Sequence, residues 1–328
     1  MSILLAVDIG GTKTLFQLSD SQDQVIVEQR FVSQDFASFE WVLTTFLNQD
    51  NVQGYTIDSA CFAVAGPVSG RDATVTNLPW QFNADTLAAQ FNIKQITLCN
   101  DFAAVAYGIA ALTDDDVISL QTGDIDDCAP RAVIGAGTGL GQAVLIPTQN
   151  DWQVFATEGG HTDFAPTDDQ QIALLQHLMT QYEQVSYERL VSGVGLVDIY
   201  EFLAMDSQYS DSDLVRLAMD KGDPAAVISH FALTKEDTLA QAAMNLFIKI
   251  YGAQAGNLAL TVLPKAGLYI AGSIAVKNQD LFRQGPFMSA FLAKGKMASL
   301  MKTIPVKLIL QENIGLMGAR LLAGKIGE

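Results

Sequence analysis

The sequence predicts an α/β protein made of two similarly built domains facing one ligand. Apolar runs of strand length alternate with helix-patterned segments along the chain. Two stretches, residues 3–18 and 131–146, share one layout: an apolar strand, a Gly-rich turn and a second strand. Their turns read DIGGTK and GAGTGLG, and each contains Gly-Thr, at Gly11-Thr12 and Gly137-Thr138.

The elements follow in order. Apolar runs predict buried strands over Ile3 to Ile9, Thr14 to Leu18, Ser59 to Ala65, Gln95 to Leu98, Arg131 to Ala136, Gln142 to Ile146, Gly267 to Ala271 and Val306 to Leu310. Helical patterning covers Phe36 to Asn48, Ala84 to Phe91, Phe102 to Leu112 and Asp169 to Gln181. It returns over Leu196 to Met205, Asp223 to Leu233, Lys235 to Leu263 and Gly315 to Ala323. Thr234-Lys-Glu-Asp237 reads as a capping box opening the long helix, which Pro264 closes. The apolar helices 196–205 and 239–263 read mainly as core, with a homodimer face as the alternative.

Composition narrows the function classes. The 328 residues suffice for two domains and a substantial core, and 49% hydrophobic with 17% charged residues is a globular balance. The net charge of −17 disfavours nucleic acid and anionic membrane as partners. It does not exclude a small anionic ligand, because a local cluster of backbone N–H groups overrules the global field. Three cysteines, Cys61, Cys99 and Cys128, with no CxxC pair, argue against a disulfide framework and a zinc site. The start MSILLAVDIGG has no basic n-region and too short an apolar stretch for a signal peptide, and no run of about 18 apolar residues suggests a membrane span. The expected compartment is the cytoplasm.

The Gly-rich turns carry the first chemistry. Gly lets backbone N–H groups approach a ligand closely, and successive N–H groups form an anion nest. Thr12 and Thr138 add hydroxyl donors. Neither turn fits G-x-x-x-x-G-K-[ST], and the second, G-x-G-x-G-x-G from Gly135, misses the dinucleotide spacing. Ordinary tight hairpins would also use such turns. The pair together with Asp8 favours phosphate, because a carboxylate beside a phosphate nest suits hydrated Mg²⁺.

Two further stretches supply acid–base and hydroxyl-binding candidates. In ITLCNDFAAVAYGIAAL a strand delivers Asn100-Asp101 to a helix mouth. One cap needs one of the two, so the other is left to face a cleft, where an aspartate can accept a proton from a substrate hydroxyl. In EGGHTDF, Glu158 and His161 lie on a Gly-hinged loop. The Gly-Gly pair disfavours a helix, and no second Glu-x-x-His exists, which rejects a di-iron reading. A carboxylate and an imidazole on such a loop suit vicinal hydroxyls. Glu188, in SYERLVSGVG, is the next candidate, with an exposed helix-start glutamate as its alternative. His177 and His230 lie on helical patterns and read as structural or solvated.

Together these pieces resemble the bacterial glucokinases of the hexokinase–actin-like superfamily, in order and over nearly the whole chain. VDIGGTKT is similar to the first phosphate motif, FAVAGPVSG and TNLPW to the strand and loop shaping the sugar side, and LCNDFAA to the sugar and catalytic motif. GAGTGLG is similar to the second phosphate motif, EGGHTDF and SYERLVSGVG to the remaining sugar loops, and LYIAGSIA to the adenosine motif. The resemblance implies two actin-like, ribonuclease H-like α/β domains flanking a cleft: residues 1–109 with 312–328, and 110–311. It implies that Asn100, Asp101, Glu158, His161 and Glu188 bind the sugar and that Asp101 is the base. ATP phosphates would lie against Gly10, Gly11, Thr12, Gly137, Thr138 and Gly139, with Gly272 at the adenosine and Asp8 supporting Mg²⁺ through water. Two departures stand out. Ser273 occupies a position where a second Gly is usual, and the CxCGxxGC zinc cluster of the related repressor–open-reading-frame–kinase group is missing, so the chain resembles the zinc-free branch.

The implied reaction is ATP-dependent phosphorylation of glucose at the 6-hydroxyl. Alternatives are a kinase for another hexose and a sugar sensor with little turnover. The acidic charge and the position of Asp8 near the start of the sequence disfavour a DNA-binding sensor. An actin-like structural ATPase would leave Glu158, His161 and Glu188 without a role.

Overall fold

The computed structural model describes residues 2–22, 24–149 and 151–325. The outermost residues of the first expected domain, 1 and 326–328, lie outside the described residues. The chain divides into two compact units, Met1–Thr113 with Val154–Ala156 and Asn313–Glu328, and Asp114–Gln153 with Thr157–Glu312.

The first unit contains β1 (Ile3–Ile9), β2 (Lys13–Asp20), β3 (Val25–Val32), β4 (Ser59–Val64), β5 (Val68–Ser69), β6 (Asp72–Thr74), β7 (Gln81–Asn83) and β8 (Gln95–Asn100). Five of them make a sheet in the order β3-β2-β1-β4-β8, while β5, β6 and β7 form a small separate sheet. β1 runs antiparallel to β2 and parallel to β4, which runs parallel to β8. The central strands are covered on both faces, which is why they are almost wholly apolar. Leu5, Val7 and Ile9 face an aromatic core with Phe16, Phe39, Phe62 and Trp80. Leu4 and Ala6 pack on the other side with Ala104, Leu316 and Ala319. Alternation along the strand assigns Asp8 to this second face. There the helices Asp101–Gly108 and Ile314–Lys325 pack at two glycines: a Cβ on Gly318 would lie 1.8 Å from Ala104 O, and one on Gly108 2.4 Å from Ile314 O.

The second unit repeats the plan. Its sheet comprises β9 (Val117–Gln121), β10 (Arg131–Ala136), β11 (Leu140–Pro147), β13 (Leu268–Ala271), β14 (Val306–Ile309) and the edge strand β12 (Trp152–Thr157), whose residues 154–156 are those grouped with the first unit, in the order β12-β11-β10-β13-β14-β9. β10 is antiparallel to β11 and parallel to β13, and β13 is parallel to β14. This matches β1 with β2, β4 and β8 strand for strand, so the similarity of residues 3–18 to 131–146 extends to topology. The helix Thr238–Val262 is buried on most sides, and the Leu196–Leu203 face of the helix Gly193–Ala204 joins the same core. Tyr251 donates its hydroxyl to Ile134 O at 3.1 Å, tying the long helix to β10.

Several boundaries differ from expectation. The long helix starts at Thr238, not Lys235, and its N-cap is Asp237, whose carboxylate accepts from Ala240 N at 2.6 Å. Thr234 instead ends the preceding helix, Pro224–Thr234, because Lys235 adopts a left-handed φ of 58° that breaks the chain direction. The expected capping box is therefore absent. The first helix is Phe39–Leu47, capped by Ser38, rather than 36–48. The helix expected over 102–112 spans Asp101–Gly108 and tightens into a 3₁₀ turn at Ile109–Ala111. Strands β3, β5, β6, β7, β9 and β12 were not expected from apolar runs, since each is short, half-exposed or at an edge. No helix among the described residues is long and apolar enough to cross a membrane.

Candidate active site

In the first unit the relevant residues gather at the carboxyl ends of parallel strands, where open α/β sheets bind ligands. Ile9 pairs with Val64, and Val64 with Asn100. Asp8 on β1 and Asp101 just after β8 thus stand at the same carboxyl end of the sheet, on strands separated by β4. The turn after β1 closes through Gly10 N donating to Lys13 O at 3.0 Å. Ser33, fully buried, braces it from behind: its Oγ donates to Gly10 O at 2.7 Å and its N–H to Thr12 O at 3.0 Å. No sequence signal singled out Ser33. Gly11 faces Thr76 O, 3.3 Å from where a Cβ would be, and Thr12 is exposed at the tip.

Asn100 is the N-cap of the helix Asp101–Gly108, accepting from Phe102 N at 2.9 Å and Ala103 N at 3.3 Å. The division of labour expected for the pair is only partial, because Asp101 Oδ1 also accepts from Phe102 N at 2.9 Å. Both residues are half-buried. Asp8 keeps part of its surface accessible, yet its carboxylate is desolvated by the packed face around it. Burial pushes its pKa up to about 6 against the pull of Lys13. Gly315, in the first turn of the helix Ile314–Lys325, makes room for it: a Cβ there would lie 3.3 Å from Asp8 Oδ2.

In the second unit, the turn after β10 is pinned by Gly137 N donating to Gly139 O and by Gly193 N donating to Gly137 O, both at 2.9 Å. Thr138 is exposed at its tip. Parallel pairing of Gly135 with Ala271 brings Gly272 beside this turn. Gly272 has φ 94°, and a Cβ there would lie 2.3 Å from Ala136 O, so both the backbone angle and the space demand glycine. Ser273 begins the short helix after it and is half-buried.

Glu158, His161 and Glu188 come together in this unit. His161 Nε2 lies 3.8 Å from Glu158 Oε2, and its Nδ1 lies 3.7 Å from Glu188 Oε1. These separations exceed hydrogen-bond length, so the three groups converge without satisfying one another. Glu188 is not a solvated helix-start residue. Its Oε2 accepts from Leu140 N at 2.8 Å, and a Cβ on Gly139 would lie 2.5 Å from that oxygen. One carboxylate therefore holds the end of the Gly-rich turn with one oxygen and points the other toward His161. His177, by contrast, is half-buried on the helix Asp169–Leu178, against Gln181 and the Phe202 ring.

Among the described residues no three His, Cys, Asp or Glu side chains cluster to hold a metal. The lone Asp8 carboxylate still fits Mg²⁺, which keeps most of its water and binds through one or two carboxylates plus substrate phosphates.

Comparison with known proteins places the whole chain in one family. The glucokinase family model matches residues 5–326. The glucokinase of Nostoc sp. strain PCC 7120 is 43% identical over 343 aligned positions, covering 99% of this chain and 100% of the relative. The crystal structure of a glucokinase from an Antarctic psychrotroph superposes with a TM-score of 0.81 at 31% identity, covering 99% of each chain. A repressor–open-reading-frame–kinase (ROK) family glucokinase from Streptomyces griseus, solved with glucose and AMPPNP, shares the fold at a TM-score of 0.68 and 19% identity, covering 99% of this chain and 100% of that one. Two repeats of one sheet plan, paired Gly-Thr turns and a full-length match at this identity have a single reading: the chain belongs to the glucokinase family.

Proposed function

We propose that this protein transfers the γ-phosphoryl group of ATP to the 6-hydroxyl of glucose, giving glucose 6-phosphate and ADP. The observation that carries the reading is the convergence of Glu158, His161 and Glu188. His161 lies within 4 Å of both carboxylates, yet neither separation is a hydrogen bond. A polyol with vicinal hydroxyls, each both donor and acceptor, satisfies such a set.

Asn100, Asp101, Glu158, His161 and Glu188 hold the sugar. The Asp101 carboxylate accepts the proton of the 6-hydroxyl as that oxygen bonds to the γ-phosphorus, and ADP leaves with the electrons of the broken P–O bond. The turns of Gly10, Gly11 and Thr12, and of Gly137, Thr138 and Gly139, receive the phosphates, with the Gly10 and Gly137 N–H groups closing the turns and the following N–H groups donating, and Gly272 lies at the adenosine. These donors stabilise charge that spreads over the phosphoryl oxygens in a loose transition state. Asp8 would hold Mg²⁺ through water, and the ion would neutralise part of the phosphate charge. AMPPNP and glucose in the Streptomyces griseus structure support this choice of nucleotide and sugar. A cytoplasmic setting suits a reaction that consumes ATP.

The test is ADP release with ATP and Mg²⁺ on glucose, fructose, mannose, galactose and N-acetylglucosamine, for the wild type and Asp101→Asn. Turnover on glucose above the others is expected, with kcat falling about 10²–10⁴-fold in Asp101→Asn. Preference for another hexose would move the substrate, and near-wild-type kcat in the variant would remove Asp101 as the base.

A further inference from the structure

Behind the loops that carry Glu158, His161 and Glu188 runs a line of polar side chains. Gln254 and Asn257 stand one turn apart on the same face of the long helix Thr238–Val262. Gln254 is 5% exposed. Its Nε2 donates to Gly159 O at 3.4 Å and to Thr162 Oγ1 at 3.5 Å, on either side of His161. Asn257 Nδ2 donates to the Tyr187 hydroxyl at 3.0 Å, next to Glu188, and to Gln254 Oε1 at 3.0 Å. Lys294 Nζ closes the line, donating to Asn257 Oδ1 at 2.6 Å and Ala253 O at 2.9 Å.

The ammonium sets the direction of the whole line. It has donors only, whereas each amide has a donor end and an acceptor end. Lys294 therefore holds the oxygen of Asn257 and turns its NH₂ toward the loops. That NH₂ engages the oxygen of Gln254, which leaves the NH₂ of Gln254 for Gly159 O. Reversing either amide would set donor against donor.

Lys294 is a poor choice for stability alone. Among the described residues it has no ion-pair partner, and burial pulls its pKa below the ordinary lysine range. Gly256 leaves a passage for its stem, since a Cβ there would lie 2.5 Å from Lys294 Cε.

We infer that Lys294, Asn257 and Gln254 are positioning residues that fix the Glu158–His161 loop relative to Glu188, and so set the affinity for the sugar. The inference rests on the proposed role of those three groups in glucose binding.

Asn257→Asp tests it. The substitution conserves size and gives Lys294 a carboxylate partner, so a merely structural role predicts equal or greater stability and unchanged kinetics. Tyr187 can turn its hydroxyl hydrogen to the new carboxylate. Gln254 cannot adapt in this way: to donate to that carboxylate it must present its own oxygen to Gly159 O. The expected result is a glucose KM about five- to tenfold higher, the scale of one hydrogen bond. The KM for ATP should stay within about twofold, and the melting temperature should not fall. Amide hydrogen exchange should quicken in peptides covering 157–164 and not in those covering 186–191. Lys294→Met should raise the glucose KM similarly. A glucose KM within twofold of wild type in both variants, with unchanged exchange, overturns the inference. Wild-type turnover on a different hexose would instead defeat the glucose reading. The same KM comparison on that hexose, with the exchange data, would then decide the relay.

Discussion

Replacing Asp8 by Asn should make the protein more stable and inactive, and the gain in stability should depend on pH in a specific way. Desolvation raises the Asp8 carboxyl from 3.8 to about 6. At about 1.4 kcal/mol per tenfold, ionising it in the fold costs roughly 3 kcal/mol once both folded and unfolded chains are ionised. Partial access to solvent reduces this to about 1–3 kcal/mol. The sign follows from proton counts. Below pH 3.8 both states hold the proton and the group is neutral to stability. Between 3.8 and about 6 the folded state binds more protons than the unfolded one, so stability falls as pH rises. Above about 6 the loss is complete. The variant's amide carries no charge and escapes the loss at every pH. The stability difference between variant and wild type should therefore grow from pH 5 to pH 7 and then level off. At pH 7.5 it should correspond to a rise in Tm on the order of 2–4 °C, because a chain of 328 residues shifts only about 1.5 °C per kcal/mol. Urea and thermal denaturation of both proteins in EDTA, at half-unit steps from pH 5 to 8, measure it. A difference that is flat with pH, or a less stable variant, would refute the desolvation argument. ATP-dependent turnover in the variant should be lost at all of these pH values.

Two glycines yield further expectations. Gly139→Ala places a Cβ 2.5 Å from Glu188 Oε2 and must push the carboxylate off Leu140 N. The KM for glucose and the KM for ATP should both rise, each by about tenfold, with an unchanged circular dichroism spectrum; unaltered constants would detach Glu188 from the turn. Gly318→Ala places a Cβ 1.8 Å from Ala104 O, between two helices that cannot separate without moving Asp101. It should cost about 1–3 kcal/mol in urea denaturation and lower kcat, and a fully stable variant would show that the helix contact is not tight.

The long apolar runs were legible because burial on both faces leaves no charged residue in β1, β4, β10 or β13 except at strand ends, as at Asp8 and Arg131. The paired turns and the acids around them were legible for a related reason. Gly10, Gly11, Gly137 and Gly139 interrupt the strand pattern, and Asp8, Asn100 and Asp101 appear where a strand should simply end. Edge and half-exposed strands such as β3 and β12 carry no comparable pattern, since solvent on one side tolerates any residue. The start of the long helix is misread from sequence because Thr234 and Asp237 both make good caps, and only the left-handed turn at Lys235 selects between them.

What the sequence alone determined is the set of local rules: which segments are buried, which turns need glycine, and which polar residues stand at strand ends. Those follow from periodicity and backbone sterics over a few neighbouring residues. What only the tertiary structure decided is which distant groups meet. Glu188 reaches Leu140 from 48 residues away. Ser33 braces Gly10, and Lys294 orients Asn257 and through it Gln254. Hydrogen bonds of this kind leave no periodic mark, because a single side chain makes each one and its partner is chosen by packing rather than by spacing along the chain. The same holds for the raised pKa of Asp8, which comes from neighbours that close over it only after the helix Ile314–Lys325 has docked on β1.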